Sequence, residues 1–173
     1  KRGNQLDLVY SKKPFSVPEN LYILGTMNTA DKSLVQIDTA LRRRFAFVEM
    51  MPNSEMKEIK EAVVEGIPIK NLMDKLNDNI REEYRDKQIG HSYFLKIKDI
   101  ETLHFIFMYK IIPLLQDYFY GDYEILSKIL GDQIISKDKK SVNEKIINSP
   151  EELKNALLKW LEKNDENEPS GSE

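Results

Sequence analysis

Asn28, Asp31, Arg42, Arg43 and Arg44 fall within one stretch, Leu21 to Met50, and their types point to an anionic ligand. Arginine presents a planar, permanently charged fork that meets phosphate or carboxylate oxygens two at a time. Asparagine supplies a neutral amide with both donor and acceptor, suited to orienting a water or contacting a phosphate; its plainer use is to cap a turn. Three consecutive arginines at a helix end cannot share one target, because successive helical residues are turned by roughly 100°. A basic cluster there also complements the helix dipole by about 0.3 to 1 kcal/mol, which accounts for one arginine better than for three. A second polar group, Gly90-His91-Ser92, lies further on. Its imidazole can donate to a phosphate, base or ribose; the alternative is a helix-capping Ser92 beside a hydrogen-bonded His91.

The elements that would position the first group follow from the apolar pattern. Leu21-Tyr22-Ile23-Leu24 has the character of a strand buried on both faces of a parallel sheet, and it breaks at Gly25 into a polar turn, Thr26 to Asp31. Leu34, Ile37 and Leu41 follow at helical spacing, the arginines end that helix, and Phe45 to Met51 is a second apolar run. Strand, turn, helix, strand is a right-handed crossover unit with charges at the strand ends, where open α/β sheets bind ligands. Ahead of it, Leu6, Leu8 and Tyr10 and then Phe15 and Val17 form two short runs joined by Ser11-Lys12-Lys13-Pro14, which predicts a hairpin stopped by Pro18.

Three ordered motifs carry a family resemblance: GTMNTADKSL (Gly25 to Leu34), ALRRRF (Ala40 to Phe45) and IGHSYF (Ile89 to Phe94). The stretch resembles the AAA+ nucleoside triphosphatases, within them the McrB-like branch, the GTP-hydrolysing subunit of methylcytosine-dependent restriction systems. The resemblance implies an α/β fold, the C-terminal part of a parallel-sheet core followed by a helical lid. It implies Asn28 as sensor 1, acting in its own subunit, and Arg43 and Arg44 as fingers for a neighbouring subunit's nucleotide. Arg42 then has a helix-end or interface role. Asn28 to Asp31 also has the N-x-x-D spacing that small GTPases use to read guanine. Sensor 1 stands at the γ-phosphate, however, and the base lies on the order of 10 Å away, beyond three residues at about 3.3 Å each. Asp31 is therefore assigned to a turn or subunit interface, and the base, GTP or ATP, stays open.

No G-x-x-x-x-G-K-[ST] phosphate loop and no apolar strand ending in Asp-Glu for magnesium occurs in the chain. The expectation is a C-terminal piece of a motor whose phosphate-binding half is elsewhere, inactive alone and using GTP or ATP with Mg in the full-length protein. The implied partners are further copies in a ring and a nuclease subunit of the McrC type, with DNA held by other regions. In that setting the hairpin either lines a central pore or decorates an edge. The sensor 2 arginine that related proteins carry at the start of a lid helix is replaced here by Gly90-His91-Ser92, which puts His91 and Ser92 forward as nucleotide contacts. Two alternatives remain: another AAA+ remodelling ATPase, or an interaction module whose arginines dock an acidic partner or nucleic acid.

Composition narrows the rest. The 173 residues are 40% hydrophobic and 32% charged, ordinary for a soluble protein of one or two domains. With no cysteine and only His91 and His104, disulfides are excluded and a zinc centre is disfavoured. No apolar run approaches a membrane span, and a cytoplasmic protein is expected. The net charge of −3 is uneven: Lys1 to Met50 holds eight basic and five acidic residues, leaving eighteen against twenty-four. That acidic remainder argues against a nucleic-acid surface there.

The expected organisation is core to residue 52, lid over 53–131, an extension with a helix over 132–163 and a disordered tail from 164. Within the lid, Met56, Ile59, Val63 and Val64 predict one amphipathic helix from Ser54 to Glu65, and Ile69 to Arg85 a second. Glu101 to Tyr120, apolar nearly all round, predicts a central helix kinked at Pro113, with His104 structural. Asp122 to Leu130 is a short helix ended by Gly131, and Gln133 to Ile147 a loop or small hairpin. Ser149-Pro150-Glu151-Glu152 then starts a last helix as a capping box with proline at its first position.

Overall fold

The computed structural model describes residues 5–27 and 39–162. They fall into two compact units, 1–35 and 36–173.

In the first unit, β1 (Gln5–Asp7) pairs antiparallel with β2 (Pro14–Ser16), Leu6 opposite Phe15. The Leu8 and Lys13 backbones close the turn at 3.0 Å, with Lys12 at φ 54°. Pro14 sits at the first position of its strand, where a missing donor costs least. The expected hairpin is therefore present. The expected parallel strands are not: neither Leu21 to Leu24 nor Phe45 to Met51 joins a sheet, and Leu24 and Val48 are 96% and 79% exposed. A strand buried on both faces takes its order from neighbours on each side, and among the described residues the only sheets are two-stranded and antiparallel.

The second unit opens with α1 (Thr39–Arg42), and its apolar core begins near residue 56. The expected helix from Ser54 to Glu65 is instead a single turn, α2 (Lys57–Lys60), followed by a tight hairpin of β3 (Val63–Val64) and β4 (Ile67–Pro68). Glu65 and Gly66 have φ of 45° and 87°, the paired left-handed geometry of a type I′ turn, which ends helical register before Val63. Val63 consequently points outward at 63% exposure while Ile59 is fully buried.

α3 (Ile69–Arg81) buries Ile69, Leu72, Met73, Leu76, Asn77 and Ile80, a continuous stripe at three- and four-residue spacing. The central helix is α4 (Ile100–Ile106), a π-helical segment Phe107–Ile111, and α5 (Ile112–Tyr118). Pro113 has no N–H to offer a carbonyl four residues back, and the wider turn just before it, with Ile112 N–H bonded to the Phe107 carbonyl, absorbs the mismatch. Although apolar nearly all round in sequence, this helix is not buried all round, since Phe105 and Tyr109 are exposed and rest on each other at 5.1 Å.

Asp99 caps α4 through the Thr102 N–H at 2.7 Å, and Asp122 caps α6 (Tyr123–Leu130) through Glu124 and Ile125. Gly131 ends α6 at φ +87°, and a Cβ there would meet the Trp160 ring at 2.8 Å. The hairpin β5 (Ile135–Ser136) and β6 (Ser141–Val142) and the short α7 (Glu144–Asn148) follow. α8 (Pro150–Glu162) starts with Pro150 at its first position and Ser149 Oγ accepting from Glu152 N–H at 3.3 Å. Its Leu153, Ala156, Leu157 and Trp160 enter the same core as α3 and α4. Lys75 on α3 donates to the Trp160 and Leu161 carbonyls, and Lys154 bridges Glu65 at 3.0 Å. His104 holds the Ile146 carbonyl at 2.8 Å and so joins α4 to α7, the structural role expected of it.

Candidate functional site

Asn28 and Asp31 lie outside the described residues. Arg42 ends α1, Arg43 and Arg44 form the turn after it, and all three side chains are exposed. The Arg42 guanidinium lies 5.8 Å from the Phe47 ring centre, so this arginine is engaged with its own chain.

Gly90, His91 and Ser92 are held in a different manner. His91–Tyr93 is a short 3-10 turn between two fully buried anchors, Ile89 and Phe94. Asn77, buried on α3, donates from Nδ2 to the Ile89 carbonyl at 3.0 Å and accepts the Ile89 N–H on Oδ1 at 2.6 Å. One amide thus satisfies both backbone groups of a residue that runs through the core outside any helix or sheet. Just upstream, Lys87 donates to the Tyr118 carbonyl at the end of α5, and its ammonium stands 5.0, 4.6 and 5.9 Å from the rings of Tyr84, Phe119 and Tyr120. Tyr84 and Phe119 meet edge to face at 4.9 Å, closing that cage.

The imidazole is fixed from the other side. Asn53 N–H donates to His91 Nδ1 at 3.3 Å, so the ring proton resides on Nε2 and His91 presents a donor. Ser92 is exposed; it caps no helix, because the cap residue of its turn is Gly90 and the next helix, α4, is capped by Asp99. Of the residues singled out from sequence, His91 and Ser92 share one turn, and Arg42 to Arg44 share another. Asn77, Asn53 and Lys87, which mount the His91 turn, were not singled out.

Asn53 is itself tied down. Its Oδ1 accepts the Glu55 N–H at 3.0 Å, and Glu55 bridges Lys60 at 2.6 Å and Lys70 of α3 at 2.8 Å. These two ammonium groups, Lys60 first, hold the Glu55 carboxyl down at about 2, while Asp74 and Glu55 push Lys70 up. A depressed carboxylate stabilises the fold above its ordinary value of 4.5, and that contribution is lost as pH falls through about 2. The carboxyl carbon signal of Glu55 should therefore titrate near 2, and Lys60→Met should return the midpoint toward 4.5. A wild-type midpoint already at 4.5 would show that the bridges do not persist in solution.

Residues 68–127 match the family model for McrB, alpha-helical lid domain. The chain is McrB-like. The match runs from Pro68, at the end of β4, to Ser127 within α6, and includes the whole His91 turn with its Asn77 and Lys87 supports. The chain is also 38% identical over 158 residues to the type IV methyl-directed restriction enzyme EcoKMcrB subunit of Escherichia coli K12, covering 76% of this chain and 34% of that relative. It thus spans about a third of the relative's length. In this McrB-like chain the lid's core extends past the matched residues, through α7 and α8. No helix among the described residues is long and apolar enough to cross a membrane.

Proposed function

We propose that the chain is the sensor, finger and lid portion of a cytoplasmic AAA+ motor that hydrolyses GTP or ATP with Mg and assembles as a homo-oligomeric ring. The carrying observation is the McrB-type lid with His91 held as an Nε2–H donor on an immobilised turn. In this reading His91 and Ser92 contact the nucleotide in place of a sensor 2 arginine. An imidazole donor needs an acceptor, and phosphate, ribose and base oxygens all qualify. Asn28 orients the attacking water or meets the γ-phosphate, Arg43 and Arg44 reach the neighbouring subunit's nucleotide, and Arg42 and Asp31 lie at the interface between subunits. The Leu21 to Leu24 and Phe45 to Met51 runs take their places in a parallel core when the phosphate-binding part of the motor is present. A nuclease subunit of the McrC type is the proposed partner, and DNA is engaged through other regions.

Phosphate affinity in such motors depends on a phosphate loop and magnesium carboxylates, and this sequence has neither motif. The 173-residue chain should therefore give no heat of binding with GTP or ATP and no release of phosphate. Micromolar binding by calorimetry would mean that the chain holds nucleotide by another route. In the full-length protein, side-by-side turnover of GTP and ATP decides the base.

A further inference from the structure

We infer that Asn77 is a positioning residue for nucleotide binding: through Ile89 it sets the Gly90-His91-Ser92 turn so that His91 can present its Nε2–H to the ligand. The inference rests on the nucleotide role proposed for His91.

Asn77 occupies a place on α3 where packing alone calls for an apolar side chain. Leu76 and Ile80 beside it are fully buried and Met73 is 1% exposed, while Asn77 itself is 6% exposed. Burying an amide there is costly unless its polar atoms are bonded, and both of its bonds go to one residue, Ile89. An apolar residue of similar size would pack as well but leave the Ile89 N–H and carbonyl orphaned in the core. The amide therefore specifies where Ile89 sits, and Gly90 and His91 are the next two residues along the chain. With Asn53 holding Nδ1 from outside the turn, the ring is placed between two fixed backbones. Displacing Ile89 moves the imidazole relative to Asn53 and frees its tautomer.

Asn77→Asp tests this without changing the size of the side chain. As a carboxylate it can still accept the Ile89 N–H, but it sets a charge against the Ile89 carbonyl; as a protonated acid it restores both bonds. In the full-length protein the substitution should raise KM for nucleotide by about tenfold or more at neutral pH with kcat little changed, the cost of misplacing a ligand contact. The penalty should shrink as pH falls and the buried acid, raised by its surroundings, takes up its proton. His91→Ala should raise KM similarly, and combining the two should add little, because both remove one contact. In the 173-residue chain, long-range nitrogen spectra should show His91 as the Nε2–H tautomer, and Asn77→Asp should mix the tautomers at neutral pH.

If His91→Ala raises KM and Asn77→Asp does not, Asn77 has no positioning role. If His91→Ala leaves KM unchanged, the nucleotide role of His91 falls and this inference falls with it, whatever the spectra of Asn77→Asp show. Should the variant not fold, hydrogen exchange of the wild-type Ile89 amide still decides: protection equal to that of the α3 core amides is expected, and rapid exchange would overturn the linkage.

Discussion

Arg44→Ala in the complete motor is expected to leave nucleotide binding nearly intact and to cut turnover by about 10³ or more, the scale of a lost arginine finger. Arg44 is exposed on the turn after α1, free of the Phe47 contact that engages Arg42. Asn28→Ala should also depress turnover, but within its own subunit. Mixing the two inactive variants creates some interfaces where an intact Asn28 faces an intact Arg44, and partial activity should return. Mixed rings verified to contain both variants and yet as inactive as either parent would contradict the division into a cis sensor and a trans finger, unless every interface must fire together. Diluting one variant into wild-type rings separates those cases. A steep loss with the first variant subunit indicates ring-wide coupling, and a proportional loss indicates independent sites.

The second large effect concerns stability. Phe107 is fully buried in the π-helical segment of the central helix, packed in the core shared by α3, α4 and α8. Phe107→Ala should cost about 3 to 5 kcal/mol on chemical denaturation, combining lost transfer energy with the cavity left behind. Phe105, two residues earlier and 51% exposed, provides the internal comparison. Its replacement by alanine should cost under about 1 kcal/mol. Equal costs would mean that the helix presents a different face to the core than its π segment dictates.

The contrast between those two phenylalanines illustrates what the sequence could and could not convey. α6 and α8 were legible because each joins a three- to four-residue apolar stripe to a recognisable start or stop, as at Asp122, Gly131 and Ser149-Pro150; α3 was legible from its stripe alone, and with no capping side chain to mark its end it stops at Arg81 rather than at the expected Arg85. The central helix was legible as a helix, but its sidedness was not, since a near-continuous apolar run has no polar face to mark. The β3 and β4 hairpin was misread because Met56, Ile59 and Val63 happen to fall at helical spacing, and two-residue strands are too short to show a period of two. The Glu65-Gly66 pair was the signal available. The parallel strands depend on neighbours that a local pattern does not name.

For the site, His91 and Ser92 emerged from resemblance, whereas their mount did not. Asn77 could have been found, because it is the polar residue on an otherwise apolar stripe of α3, and a buried amide has to spend its bonds somewhere. Asn53 and Lys87 carried no comparable sign, for their partners are 38 and 31 residues away in the chain.

The closure of the lid by α8 also bears on how the molecule is made. Lys75 reaches carbonyls 85 and 86 residues further along, and Lys154 reaches back 89 residues to Glu65. During synthesis α3 and the central helix emerge well before the helix that covers them, so their apolar faces stay wet through the intervening stretch. Contacts of such long separation slow folding and leave unfinished chains prone to association. The packing of Trp160 against Gly131 can form only once α8 has been made, and it completes the core that carries the His91 turn.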